Sequence, residues 1–182
     1  SLTGNESRSP LDVDAANPRP YNTFGHIIRW RPQKNDHTSR EFTWDIFLFG
    51  GTSNQLQDAK GKKKAQGTGG DTQFSNPDGL WFDPRGLLWI QTDIYGSQLA
   101  ATFGNNQMLV ADPRTREIKR FLVGPVDCEI TGAVMTPDMR TLFVNIQHPG
   151  ERSRPGHYTS NWPDGGNSRP RSATVLVQRE DG

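Results

Sequence analysis

A single cysteine, Cys128, stands among 182 residues, so no internal disulfide can staple this chain. Redox compartment stays unread, because a secreted protein can simply lack disulfides. No apolar run approaches the ~20 residues of a membrane-spanning helix, and no signal peptide opens the chain. Neither sign of charge is in excess. The 21 Lys and Arg face 20 Asp and Glu, a formal net of +1, which excludes the electrostatic footprint of a nucleic-acid partner. Sustained helical periodicity is missing too, so helix should be scarce. Several chemistries lack their motifs: there is no His pair at metal-ligand spacing, no Cys-x-x-Cys and no Gly-x-Ser-x-Gly elbow. Gly67-Thr68-Gly69-Gly70 lacks the Lys-Ser/Thr and helix that a phosphate loop needs.

Turn residues and strands fill the space left by these absences. Only 32% of the chain is hydrophobic, against 19 Gly and 13 Pro, which suits a loop-rich all-β protein. Five Trp and nine Phe set in alternating runs argue against disorder.

Residues 1–22 are polar and Pro-rich, and read as an irregular loop. Gly25–Trp30 and Glu41–Phe49 alternate as a hairpin, with Phe42, Trp44, Ile46 and Leu48 expected on one face. Residues 52–74 form a long exposed loop, and its Lys60-Gly61-Lys62-Lys63-Lys64 reads as solvated charge. Four strand signals follow: Gly79–Phe82, Leu87–Thr92, Gln107–Ala111 and Ile118–Val123. Asp83-Pro84-Arg85-Gly86 and Asp112-Pro113-Arg114-Thr115-Arg116 are their turns. Four antiparallel strands with short turns make one propeller blade.

The pattern then restarts. Ala133–Met135 and Thr141–Ile146 flank Thr136-Pro137-Asp138-Met139-Arg140, and Thr174–Gln178 supplies a further strand after a Pro- and Gly-rich loop from 149 to 171. Gly79 and Gly132 lie about fifty residues apart, within the range of propeller repeats. The reading is therefore a β-propeller of which roughly two and a half blades are present: a hairpin at 23–51 and blades at 75–124 and 125–182. An open propeller has exposed edges, and the chain begins without Met. Further blades are expected upstream of Ser1.

The residues that can carry chemistry lead the blades. Asp78 and Glu129 each stand just before an innermost strand, so two carboxylates could converge on a hard cation at the axis. The plain alternative for Asp78, between Pro and Gly, is a turn residue. Glu129 has apolar neighbours at Val126, Ile130 and Val134, which suggests burial, and a buried unpaired carboxylate is costly. Cys128 is a thiolate ligand or, more simply, a small buried hydrophobe facing away from Glu129. Asn76 can hydrogen-bond a substrate or metal, or simply initiate a turn. His26 reads as a satisfied strand histidine. His148 either meets ligand or caps the loop at Pro149-Gly150, and His37 and His157 carry no signal.

Three segments carry a family resemblance. The first joins Asp14-Ala15-Ala16-Asn17-Pro18-Arg19 to Asn22-Thr23-Phe24-Gly25-His26-Ile27-Ile28-Arg29-Trp30 and Thr43-Trp44-Asp45. The second is Asn76-Pro77-Asp78-Gly79-Leu80. The third joins Glu129-Ile130-Thr131-Gly132 to the run from Thr141 to Glu151. Together they resemble the PhoX-type alkaline phosphatases over nearly the whole chain. The resemblance implies a six-bladed propeller with calcium and iron on its axis, hydrolysis of phosphomonoesters, and export to the periplasm or beyond. It makes Asp78 and Glu129 metal ligands and puts Asn76, where some members have Lys, beside the phosphoryl group. A C-terminal fragment of this kind should be inactive alone. A gluconolactonase-like propeller hydrolase and a non-catalytic binding propeller are the alternatives.

Overall fold

The computed structural model describes residues 13–52, 72–95 and 97–180. The Lys60–Lys64 run and the Gly67–Gly70 stretch lie outside them. Among the described residues nine strands form three antiparallel sheets. Strands β1 (His26–Pro32) and β2 (Phe42–Phe49) pair as a hairpin. Strands β3 (Pro77–Phe82), β4 (Leu88–Thr92), β5 (Gln107–Ala111) and β6 (Ile118–Val123) form a four-stranded meander. Strands β7 (Glu129–Met135), β8 (Thr141–Gln147) and β9 (Ala173–Gln178) form the third sheet.

The turns follow from their residues. Asp83 accepts hydrogen bonds from the Arg85 and Leu87 amides at 2.9 and 3.0 Å, and the Gly86 amide reaches the Asp83 carbonyl at 2.9 Å. Gly86 has φ of 82°, a conformation glycine adopts without strain. At the matching corner of the third sheet, the Arg140 amide donates to Asp138 at 3.1 Å and the Met139 amide to the Thr136 carbonyl at 2.8 Å.

The middle sheet is covered on both faces, so β4 is buried at every position and does not alternate in hydrophobicity. Its side chains still alternate in direction. Leu88, Ile90, Leu109 and Ala111 join Ile27, Phe47, Leu48 and Phe74 in a core under the β1–β2 hairpin. Trp89 and Met108 join Cys128, Ile130, Leu142, Val144 and Ile146 in a second core under β7–β9. Burying each of these large side chains is worth about 1.5–3 kcal/mol relative to exposure.

The hairpin departs from the expected single apolar face. Ile27 pairs with Leu48 but Ile28 pairs with Ile46, so Phe47 is an extra residue in β2. The bulge turns Phe47, Leu48 and Phe49 all inward, whereas Phe42 and Trp44 are 58% and 42% exposed. The described residues before β1, 13–25, contain no strand, yet they are anchored. Buried Arg19 donates to the Gly50 and Gly25 carbonyls at 2.7 and 2.6 Å and lies over the Phe49 ring. His26 is fully buried, with Nε2 at 2.7 Å from the Ala16 carbonyl and Nδ1 at 2.7 Å from the Asn22 amide nitrogen. The Ala16 carbonyl can only accept and the Asn22 amide donates, so the ring is neutral with its proton on Nε2. His26 is a satisfied structural histidine, as its place in a strand predicts.

A short α-helix, α1 (Ser97–Phe103), joins β4 to β5. It ends at Gly104, whose φ is 80° and whose amide donates to the Ala100 carbonyl at 2.8 Å. At seven residues it is too short to print a helical period on the sequence.

Candidate functional site

Two hairpins, β3–β4 and β7–β8, bring the acidic leaders to one end of the molecule. Strand β7 lies beside β3, β4 and β5. Pro77 pairs with Thr92 and Leu80 with Ile90, so Asp78 and Gly79 together oppose Gln91 in a bulge. Any Cβ at Gly79 would run into the Gln91 side-chain oxygen. In β7 the bulge falls at Gly132, between the Thr131–Asn145 and Ala133–Val144 pairs. A Cβ there would sit 2.8 Å from Asn145 Nδ2. Both inner strands therefore carry a glycine against a partner-strand amide, close behind an acid.

Asp78 is exposed at the bulge. Glu129 lies in regular pairing with Gln147, with only 12% of its side chain exposed. Its burial does not come from Val126 and Val134, as the sequence suggested, since these are 43% and 59% exposed. His148, at the end of β8, covers it instead, with Nε2 3.5 Å from Glu129 Oε2. The same imidazole places Nδ1 3.9 Å from Glu151 Oε2. His148 thus faces the acids and does not merely cap the loop.

A third acid, Asp93, belongs to the cluster although no motif in the sequence marks it. It follows the last residue of β4, and its amide donates to the Asn76 carbonyl at 3.0 Å. Burial raises the Asp93 carboxyl above its usual range; the charges of Asp78 and Glu151 add to this, and His148 opposes it. Burial likewise raises Glu129, with Asp93 and Asp78 adding repulsion and His148 again opposing. Asp78, Asp93 and Glu129 thus leave three different strands and sense one another's charge. A cation among them would relieve burial and repulsion together. Among the described residues, no three His, Cys, Asp or Glu side chains are disposed to hold a metal ion by themselves.

Asn76 sits at the root of this cluster. It is buried, with φ of 52°, and its Oδ1 accepts from the Ser75 hydroxyl. Its backbone N–H donates to the Phe24 carbonyl at 2.9 Å. One residue thus links the segment before β1 to the backbone of Asp93. Asn106 is the second organiser that the sequence did not single out. Its Oδ1 accepts from Thr92 Oγ1 at 2.7 Å and from the Ile94 amide at 2.5 Å, while its Nδ2 donates to the Cys128 carbonyl at 2.7 Å. The backbones next to Asp93 and Glu129 are held by that one side chain.

Cys128 is buried in the second core, and burial pushes its thiol up to about 12. A thiol so protonated, set among Ile130, Leu142 and Ile146, serves packing and not thiolate chemistry.

Two clefts open beside the acids. One, of about 500 Å³, is lined by Asp93, Asp127, His148, Glu151 and Arg152 among others. The other, of about 510 Å³, shares His148 and Glu151 and is walled by the 149–171 loop. Neither is lined by Asp78 or Glu129. The loop has no strand or helix but is fastened along its length. Gly150 and Glu151 amides donate to the Val126 and Asp127 carbonyls at 2.9 and 3.3 Å, and Asn161 reaches the Ser168 carbonyl at 2.8 Å. The His148 amide donates to Ser172 Oγ at 2.9 Å.

Against this geometry stand the comparisons with known proteins. The family model described as alkaline phosphatase PhoX matches residues 1–150. A solved structure of Pseudomonas fluorescens PhoX, in complex with vanadate, a transition state analogue, superposes with a TM-score of 0.83 at 42% sequence identity. The alignment covers 98% of this chain and 31% of that one, so the chain spans about a third of that protein's length. No curated protein matches. No described helix is long and apolar enough to cross a membrane. The fold is all-β, three sheets forming part of a β-propeller, and the lactonase-like alternative is not favoured. Family match, identity and superposition agree: the chain belongs to the PhoX alkaline phosphatase family.

Proposed function

We propose that the chain supplies part of the axial site of a metal-dependent phosphomonoester hydrolase, an alkaline phosphatase. Asp78 and Glu129 are its metal ligands and Asn76 is a hydrogen-bonding group for the transferring phosphoryl. In this reading, 23–51, 75–124 and 125–182 are successive blades of one six-bladed propeller, whose other blades complete the site. The enzyme is exported to the periplasm or secreted.

One observation carries the reading: the carboxyls of Asp78, Asp93 and Glu129 gather at one end of the molecule, where burial raises Asp93 and Glu129 and the neighbouring acids add to it. Their oxygen donors suit a hard cation, calcium in this proposal. Iron, the other metal of this proposal, is not assigned to Cys128, which is buried in an apolar core. A bound cation would polarise a phosphoryl oxygen and neutralise the charge of the transition state.

The chain's own residues do the positioning. Glu129 and Asp78 supply negative charge on neighbouring inner strands. His148 stands between Glu129 and Glu151, with its ring nitrogens 3.5 and 3.9 Å from their carboxylates. Asn76 fixes the backbone of Asp93 through its carbonyl, and its side-chain oxygen is held by the Ser75 hydroxyl. Charge in phosphoryl transfer develops on the transferring group, so such electrostatic placement does most of the work.

The test is phosphomonoester hydrolysis by the complete protein, with metal content measured by elemental analysis. Chelation and Asp78→Ala should each reduce turnover by about a hundredfold or more. Activity that survives both would overturn the reading.

A further inference from the structure

The cleft walled by the 149–171 loop differs in charge from the acidic end it adjoins. Of the arginines around it, Arg171 is held by Asp164, with Nε and Nη2 each 2.9 Å from a carboxylate oxygen. Arg152, in the neighbouring cleft, is held by Asp127. Arg154 and Arg169 line the cleft without such a carboxylate among the described residues. Both belong to the fastened loop. The Arg154 backbone exchanges hydrogen bonds with His157 at 2.9 and 2.8 Å, and Arg169 lies between Ser168 and Pro170, in a stretch bonded back to Asn161 and Trp162. The guanidinium groups are therefore presented from a built wall. His148 and Glu151 line both clefts, so the cationic cleft begins where the acidic one ends.

Resting on the phosphomonoesterase reading, we propose that Arg154 and Arg169 form a specificity subsite. It binds a second anionic group, carboxylate or phosphate, on the leaving-group side of the substrate. Metal-site carboxylates cannot serve that group, because like charges repel. Guanidinium forks in an open cleft recognise either oxyanion. The distance from acids to arginines then selects esters whose leaving group carries its charge away from the scissile bond.

The experiment compares phenyl phosphate with 4-(carboxymethyl)phenyl phosphate on the complete, metal-loaded protein. Arg154→Gln and Arg169→Gln should each raise KM for the carboxylated ester by about fivefold, a typical value for an exposed charged contact. KM for phenyl phosphate and kcat for both should stay within twofold. Arg154→Lys and Arg169→Lys should restore part of the difference, and Arg169→Glu should enlarge it. Equal changes for both esters, or none, would overturn the subsite while leaving the hydrolase reading intact. A loss confined to inhibition by inorganic phosphate would mark a product site instead and would also overturn it. Binding of benzylphosphonate and 4-carboxybenzylphosphonate by calorimetry reads the same split without turnover. If the protein hydrolyses neither ester, the hydrolase reading fails and the calorimetric split still decides the subsite.

Discussion

The hairpins β3–β4 and β7–β8 repeat one design with one difference. Each sets an acid near the start of an inner strand, a bulge at or behind it, and a glycine beneath a partner-strand amide. In β3 the acid is inside the bulge, so Asp78 is lifted to the surface. In β7 the bulge comes three residues later, at Gly132, so Glu129 stays in register and half shielded by His148. Moving the bulge along the strand changes how much water the acid sees while its place in the repeat is kept. Burial supplies an acid with reason to want a cation, and exposure leaves room for the cation's other ligands.

The sharpest way to break this comparison is to neutralise each acid in the complete protein. Glu129→Gln and Asp78→Asn should both lower turnover by about a hundredfold. Metal titration should show the greater loss of affinity for Glu129→Gln, whose carboxylate is the more desolvated. Equal affinities would mean that burial does not matter to the site.

Next in size are the glycines. Gly132 has φ of 50°, so Gly132→Ala adds backbone strain to the 2.8 Å approach on Asn145, and should cost about 2 kcal/mol in denaturant unfolding. Gly79→Ala meets only the Gln91 side chain and should cost about 1 kcal/mol. Adding Gln91→Ala should relieve the second substitution, whereas adding Asn145→Ala should leave the φ strain of the first in place.

The far turns sharpen the contrast through pH. Burial alone would raise Asp83, but hydrogen bonds from Arg85, the Leu87 amide and Trp89 hold it below the usual carboxylate range. The Thr136 hydroxyl, more than the Arg140 amide, lowers Asp138 on the exposed turn. A depressed carboxyl stabilises the fold above its unfolded pKa, and that gain is lost as pH falls through the folded value. Asp83→Asn should therefore cost about 1 kcal/mol at pH 7 and progressively less below pH of about 4. Asp138→Asn should follow the same course with a smaller effect, read from midpoints across pH.

The smallest effect has the opposite sign. Glu129 is raised on folding, so its charge opposes the native state once pH exceeds the unfolded value. In metal-free protein, Glu129→Gln should slightly raise the unfolding midpoint at pH 8 and leave it unchanged at pH 3. Added calcium should reverse the order.

Much of the fold was legible because strands and turns write local signals. Asp83-Pro84-Arg85-Gly86 specifies its corner by residue type, and β5 and β6 begin and end where their apolar runs do. What escaped needed tertiary information. The Phe47 bulge depends on which residues the neighbouring sheet covers, and α1 is too short to show a period. At the site, Asp78 and Glu129 were visible because they head repeats. Asp93 was not, since it trails a strand and owes its character to burial and to two acids distant in sequence. Asn106 carried a signal only in retrospect: an amide between a Gly-ended helix and a strand has several backbone groups to satisfy. The 149–171 loop announced itself by Pro and Gly, but its arginines gained meaning only once Asp164 and Asp127 were seen to claim two of them.

The middle sheet, clothed on both sides, has a mechanical consequence. Leu88, Ile90 and Leu109 answer to one neighbour while Trp89 and Met108 answer to the other. A disturbance that loosens either outer sheet strips half the side chains from strands whose remaining half still grips. The sheet that carries Asp78 and Asp93 at its rim is therefore gripped from both faces, and the sheet that carries Glu129 is one of the two that grip it.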